Sequence, residues 1–324
     1  MSKAASLLRH FTPKRVLVAT RPIRAHIKES KTAAGLWTLR KRIRFSIFTP
    51  RGLNQKLHYK MAWDRRTLIH TISDKVAVRG YVQALGRPEI LNEVFAVVDD
   101  PQLIDLEALP SKCVIKPTHG SGAAIVIHDQ AEPSNRIPVD FPPHQWCCTS
   151  LFIRRENIDR AAFNALCYHW LGRSYWRSQG STEWAYLNIP PRIMVEKYLE
   201  VHKNPLDYRF FVIDQRVAWF QVHRSNGVTS RGNAYSRDGV QIPFEWARDG
   251  TFEFVLPLEI SAMVTLSEEL AKDTDFVRVD LYLVDGKIFF SELTNYPNGG
   301  RGTHNNSKIA TALTASWIPP KRYR

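Results

Sequence analysis

Long apolar runs are missing from this 324-residue chain: no stretch approaches the eighteen or more residues of a membrane-spanning helix. Val16-Leu-Val-Ala-Thr20, near the start, is far too short for the core of a secretory signal. The expectation is a globular, cytoplasmic protein. Cysteine is also scarce. Cys113, Cys147, Cys148 and Cys167 show neither C-x-x-C spacing nor His partners at zinc-finger distances, which argues against a disulfide framework or a structural zinc. Residues 1–70 have almost no acids. They hold 17 Lys and Arg against only Glu29 and Asp64, a net charge of +15, so the total of +14 leaves the remaining 254 residues at −1. No internal repeat is present, and no G-x-x-x-x-G-K-[ST] phosphate loop. No Ser-His-Asp or Cys-His constellation stands out, so a covalent intermediate on the protein is not expected.

What is present begins with that basic arm. Residues 1–52, interrupted at Pro13, Pro22 and Pro50, read as a basic, loosely helical N-terminal extension. Residues 1–70 could contact an anionic polymer or a membrane surface, or could be a solvated basic face; nucleic acid is not the expected partner. An Arg-rich, acid-poor start also has the look of an organelle transit peptide. With 44% hydrophobic residues, the rest can bury a sizeable core in two or three domains.

Beyond Leu53 the apolar spacing turns helical. Asp74 is placed to cap a helix over Lys75–Leu85 that Gly86 ends, with Lys75 in its first turn, where a cation suits a nearby anion. Glu93–Val98 reads as a strand. Cys113-Val-Ile-Lys116 is a second, followed by a small loop holding Pro117-Thr-His119-Gly120-Ser121-Gly122 and then another strand that runs to His128. Glycines let backbone N–H groups approach phosphate oxygens, and Lys116 at a strand end can reach the same phosphates. A helix is expected from Asn157, strands over Arg192–Glu196, Asp207–Ile213 and Val217–Val222, and a helix over Ser267–Lys272.

The clearest pattern is Phe276 to Gly300. Two apolar-rich runs flank Asp285-Gly286, a dipeptide suited to a tight hairpin turn. Alternation puts Arg278, Asp280 and Tyr282 on one face and Val277, Val279, Leu281 and Leu283 on the other. Pairing about the turn brings Asp280 near Phe290 and Ser291, with Glu292 just beyond. Two converging carboxylates repel unless a cation lies between them, and hard oxygen ligands suit Mg²⁺ with water and phosphate.

In this order, Asp74-Lys75, Val114-Ile-Lys116-Pro with His119-Gly-Ser-Gly122, Val195-Glu-Lys-Tyr-Leu199, Asp207-Tyr-Arg-Phe-Phe211, Arg278-Val-Asp280 and Phe290-Ser-Glu-Leu-Thr294 carry a resemblance. From about Leu53 to Lys308 the chain resembles the ATP-grasp superfamily and, more narrowly, its teichuronopeptide-synthesis (TupA-like) branch. The resemblance implies an α+β architecture in which two α+β subdomains clamp ATP. Residues 53–110 would form an N-terminal unit, 111–196 the lid subdomain with its glycine loop, and 197–324 the C-terminal subdomain with the Mg²⁺ site.

It also implies roles. Lys116 would hold the α- and β-phosphates, Gly120, Ser121 and Gly122 would close over the γ-phosphate, and Lys75 and His119 would be further nucleotide contacts. Glu196, Lys197, Tyr198 and Leu199 would form the adenine hinge, and Asp207 with Arg209 the ribose side. Asp280 and Glu292 would hold Mg²⁺ with Thr294 or Asn295 as third ligand, because Thr294 stands where many members have Asn. Arg278 and Lys116 would be catalytic. The implied reaction joins a small-molecule carboxylate to an amine through an acyl phosphate, in the making of a cell-surface polymer or a peptide-like metabolite. The competing readings are a kinase that stops at phosphoryl transfer and a basic nucleic-acid or surface-binding protein with a remnant nucleotide site.

Overall fold

The computed structural model describes residues 49–141, 150–176, 183–200, 206–225, 229–243, 247–302, 308–321 and 323. The expected N-terminal extension, apart from its last few residues, lies outside them, as do Cys147 and Cys148. The chain divides into two units: one of Met1–Arg66, Thr182–Trp184 and Tyr296–Arg324, the other of Thr67–Ser181 and Ala185–Asn295.

In the first unit, α1 (Leu53–Trp63) buries Leu53, Leu57 and Met61. Its Asn54 donates to the Gly302 carbonyl (2.9 Å) and its Lys56 to the Thr314 carbonyl (2.5 Å), just past the short helix Lys308–Leu313. A Cβ on Gly300, at φ 65°, would stand 2.9 Å from the His58 ring, so any other residue there would be strained and would displace that ring.

The second unit holds both sheets. α2 (Thr67–Ser73) and α3 (Ala77–Ala84) come first. The predicted helix therefore starts two residues late: Asp74 Oδ1 accepts the Val76 N–H (2.9 Å), a local turn that competes with the helix, and Lys75 sits ahead of it. Gly86 ends this segment at φ 76°, as the cap requires.

One sheet has the order β1-β5-β2-β3-β4, made of β1 (Val94–Val98), β2 (Cys113–Pro117), β3 (Ile125–Ile127), β4 (Leu151–Ile153) and β5 (Ile193–Lys197). Cys113, Ile115, Ile193 and Val195 point into a core closed by Phe163, Leu166, Cys167 and Trp170 of α4 (Arg160–Leu171). Asp159 caps α4 by accepting the Ala162 N–H (2.8 Å). Because β1 belongs to this sheet, the expected boundary at 110/111 falls inside it.

The other sheet runs β11-β10-β6-β7-β8-β9: β6 (Leu206–Ile213), β7 (Arg216–Ser225), β8 (Ser230–Ser236), β9 (Gln241–Ile242), β10 (Phe276–Val284) and β11 (Lys287–Thr294). Its apolar face, including Phe210, Phe220, Val277, Val279 and Leu293, packs on Met263, Val264 and Leu270 of α5 (Ile260–Leu270) and on Val78 and Val82 of α3. The Asp207 hairpin does not stand opposite the Asp280 hairpin. It lies beside it in the same sheet, β6 pairing with β10. No helix among the described residues is long and apolar enough to cross a membrane.

Candidate active site

Both turns of the Asp280 and Asp207 hairpins have positive φ at each central residue: Asp285 (49°) and Gly286 (72°), Asp214 (46°) and Gln215 (64°). These suit the twist of paired strands. In the first hairpin Leu281 opposes Phe290, yet Asp280 opposes Glu292, so Ser291 is the extra residue of a β-bulge. Glu292 is thus the direct partner of Asp280, where unbroken alternation would have put Ser291 there and turned Glu292 into the core. Directly opposed residues share a face, so both carboxylates emerge on the polar side.

The cation between them is part of the protein. Arg278 donates from Nε to Asp280 Oδ1 (2.6 Å) and from Nη2 to Asp280 Oδ2 (2.5 Å), Glu292 Oε1 (3.0 Å) and Thr294 Oγ1 (3.1 Å). Thr294 in turn donates to Glu292 Oε1 (2.7 Å). The expectation that only a bound metal could relieve the repulsion is therefore corrected. Burial pushes the Asp280 carboxyl up to about 7 against the pull of Arg278. Glu292 moves the other way, to about 2, because Arg278 and Lys75 outweigh its own desolvation. Arg278 stays charged for the same reason: Asp280 and Glu292 outweigh the cost of its burial.

Of the two candidates for third ligand, Thr294 joins this cluster. Asn295, one residue on, points elsewhere, its buried amide donating to Ser73 Oγ (2.9 Å) and the Ile69 carbonyl (3.2 Å).

The smaller sheet supplies the facing side. On β2, Lys116 alternates with buried Cys113, Ile115 and Pro117, and its Nζ meets Glu196 Oε1 of β5 at 2.5 Å. Lys75 donates from Nζ to the Gly120 carbonyl (2.5 Å) and from its backbone N–H to the Thr118 carbonyl (3.3 Å), tying it to the start of the glycine loop. Burial lowers its pKa, with Glu292 and Glu196 pulling the other way. Ser121 and Gly122 are exposed, and Gly122, at φ 82°, has no atom within 4 Å of where a Cβ would stand. Lys75, Lys116, Met194, Glu196 and Glu292 line one cleft with apolar Ile72, Val78, Phe290 and Leu293.

His119 lies apart from this cleft. Its ring is buried, with Nε2 3.1 Å from the Trp170 carbonyl at the end of α4, and desolvation lowers its pKa. Lys197 exchanges backbone and side-chain bonds with the chain before β1: its N–H donates to the Glu93 carbonyl (2.9 Å), and its carbonyl accepts from Asn92 (2.7 Å). Tyr198 packs edge-on against His128 at 5.1 Å, and half-buried Leu199 follows. Asp207 accepts from Arg209 Nη2 (2.8 Å), and Arg209 is the cross-strand partner of Asp280.

Gln221 and His223 of β7 complete this face and were not anticipated, opposite Arg209 and Asp207 respectively. A second bulge, at Ala218, puts them there. A signal was available: core-facing Val217, Phe220 and Val222 are spaced three and then two, and Ile288, Phe290 and Leu293 two and then three. A step of three in a period-two pattern marks a bulge.

A nucleotide and Mg²⁺ fit this donor set. A partly buried ammonium that donates to a neutral carbonyl, as Lys75 does, gains from an anion. Two carboxylates suit a cation that takes its other ligands from water and phosphate. Among the described residues no group of three or more His, Cys, Asp and Glu is arranged to hold a metal by itself.

A family model for TupA-like ATP-grasp proteins matches residues 55–318. The chain belongs to the TupA-like ATP-grasp family. That membership gives its enzyme class, an ATP-grasp ligase forming carbon–nitrogen bonds. No curated protein matches the chain. Among solved structures, the ATP-grasp ligase PsnB with its minimal precursor is similar at 12% identity and TM-score 0.37, covering 89% of this chain and 76% of that one. The D-alanine–D-alanine ligase of Bacillus anthracis is also similar, at 12% and 0.37, covering 76% and 60%. The L-amino acid ligase of Bacillus licheniformis follows at 12% and 0.41, covering 83% and 55%. Likenesses this distant carry no functional weight.

Proposed function

We propose that this protein is an ATP- and Mg²⁺-dependent ligase that joins a small-molecule carboxylate to an amine, in the assembly of a cell-surface polymer or a peptide-like metabolite. One observation carries the reading: Asp280 and Glu292 are opposed on one face with Arg278 bonded to both and Thr294 to Glu292, and Glu292 lines a cleft with Lys75, Lys116 and Glu196.

A carboxylate is a poor electrophile. In the proposed reaction its oxygen attacks the γ-phosphorus of ATP, the bond to the β,γ-bridging oxygen breaks, and ADP leaves. The amine then attacks the carbonyl carbon of the acyl phosphate, inorganic phosphate departs, and the nitrogen gives up its proton. Asp280, Glu292 and Thr294 would hold the metal, which neutralises phosphate charge when bound. Lys116 and Lys75 hold phosphate oxygens, with Ser121 and Gly122 offering backbone N–H groups. Arg278, already fixed by two carboxylates, stabilises charge developing on the transferred group and at the carbonyl. Glu196 through Leu199 border the base, and Asp207 the ribose.

The test is ADP release against panels of carboxylates and amines, including amino acids and uronic acids. Release should require one member of each class. Lys116→Met should weaken binding of a nonhydrolysable ATP analogue and abolish turnover, and Glu292→Gln should lower turnover by orders of magnitude. ADP release that needs no amine would sink the ligase assignment in favour of a kinase. Unchanged analogue affinity in Lys116→Met would remove Lys116 from the site.

A further inference from the structure

Beside Asp280, the polar face of the larger sheet carries Gln221 and His223, which the nucleotide and metal assignments leave unused, next to Arg209, which the resemblance puts on the ribose side. Asp280 is paired with Arg209 on β6, and Arg209 with Gln221 on β7. Neighbouring strands lie about 4.8 Å apart, so this row extends roughly 10 Å from the carboxylate cluster. Gln221 is 2% exposed, and its side-chain Nε2 is buried with no hydrogen-bond partner. Arg209 Nε and His223 Nδ1 are likewise buried and unpartnered, although both side chains keep other contacts. A buried polar atom without a partner is costly, and three on one face mark a place built for a ligand or for ordered water.

The chemistry of the three atoms narrows the ligand. Arg209 Nε donates, and so does the Gln221 amide nitrogen. The His223 ring has Nε2 2.8 Å from Ser230 Oγ, while Nδ1 lies 3.9 Å from Asp207 Oδ2. The nearby carboxylate favours the tautomer with its proton on Nδ1, the Ser230 hydroxyl donating to Nε2. Desolvation and the neighbouring Arg209 keep the ring neutral, lowering its pKa to about 4. Three donors therefore lie on one face of the sheet, and Asp207 already pairs with Arg209. A doubly charged phosphate would be repelled by Asp207 and Asp280. A planar anion of single charge, with two acceptor oxygens, fits.

Resting on the ligase reading above, we propose that Arg209, Gln221 and His223 form the subsite that holds the carboxylate of the acyl donor, one strand away from the residues that hold the phosphoryl group. Its position explains why these residues share the metal face and yet bond to none of the metal-site side chains. It also assigns substrate choice to β7, which supplies none of the expected nucleotide contacts.

The probes are a panel of amino acids, N-acyl amino acids and uronic acids, with ATP, Mg²⁺ and hydroxylamine to trap the activated acyl group as a hydroxamate. Gln221→Leu should raise the KM for the active carboxylate about tenfold, and Gln221→Glu about a hundredfold, since it sets a like charge against the substrate. KM for ATP and the Kd of a nonhydrolysable analogue should stay within about twofold, which also shows that the variants are folded. His223→Phe should raise the same carboxylate KM. Gln221→Met, close in shape to the native residue, covers the case of a misfolded Gln221→Leu.

A KM rise for ATP instead would make this face part of the nucleotide subsite and overturn the proposal. So would unchanged constants in every variant, as water in the space would give, or an effect seen only with the amine. Analogue binding without hydroxamate from any carboxylate would overturn the carboxylate class of the ligand. Absence of analogue binding to the wild-type protein is a separate outcome, which would remove the ligase reading itself.

Discussion

The β6–β7 and β10–β11 hairpins use the same local device for different ends. Each turns through two residues of positive φ, and each has one bulge. In β10–β11 the bulge at Ser291 sits mid-strand and sets Glu292 against Asp280, around a guanidinium only 11% exposed. In β6–β7 the bulge at Ala218 follows the turn and sets Gln221 against Arg209, whose partner Asp207 is 29% exposed. The first hairpin concentrates charge and satisfies it internally. The second leaves donors open. A bulge thus does more than bend a strand: by shifting register one residue it decides which side chains leave the core for the site.

The largest effect should come from removing the buried cation. Arg278→Met leaves Asp280 buried and close to Glu292, and should cost about 3–5 kcal/mol in urea unfolding. Mg²⁺ with an ATP analogue should restore part of that loss. The corresponding Arg209→Met should cost no more than about 1 kcal/mol, because its ion pair is partly solvated. Equal losses in the two variants would erase the contrast between the hairpins.

Next in size is a pH effect confined to β7. His223 has a folded pKa of about 4, below its ordinary value near 6.5, so the native state resists protonation. Its contribution is fully present above pH 6.5 and fades as pH falls toward 4, by about 3 kcal/mol in all. His223→Gln should flatten that part of the stability profile, measured as the difference between the two proteins. Parallel profiles through this window would mean that His223 is not held neutral.

The turns should give the smallest change. Gly286→Ala should lose about 1 kcal/mol, since its φ of 72° disfavours a Cβ whose nearest neighbour, Glu259 Oε1 at 3.5 Å, is an ordinary contact. Gln215→Gly, at φ 64°, should gain about 0.5 kcal/mol. Opposite signs at the two turns, read from melting temperatures, would show that backbone conformation rather than packing sets their cost.

Much of this was legible in the chain itself. The Asp285-Gly286 turn, the alternation of Arg278 and Asp280 with Val277, Val279 and Leu281, and the order of Lys116, Glu196, Asp207, Asp280 and Glu292 are local or sequential properties. They led to the ATP-grasp resemblance that the family match bears out. The two bulges were written there too, as steps of three among the core residues of β7 and β11, but they pass for noise until a partner strand fixes the count. Only tertiary structure decided the rest. Pairing β6 with β10 sets Arg209 beside Asp280, across a sequence separation no local pattern spans. The fold turns His119 toward the end of α4 and Asn295 toward α2, although in sequence they adjoin Gly120 and Thr294. Which face a side chain joins depends on register and on what packs behind the strand, and those are set by distant residues.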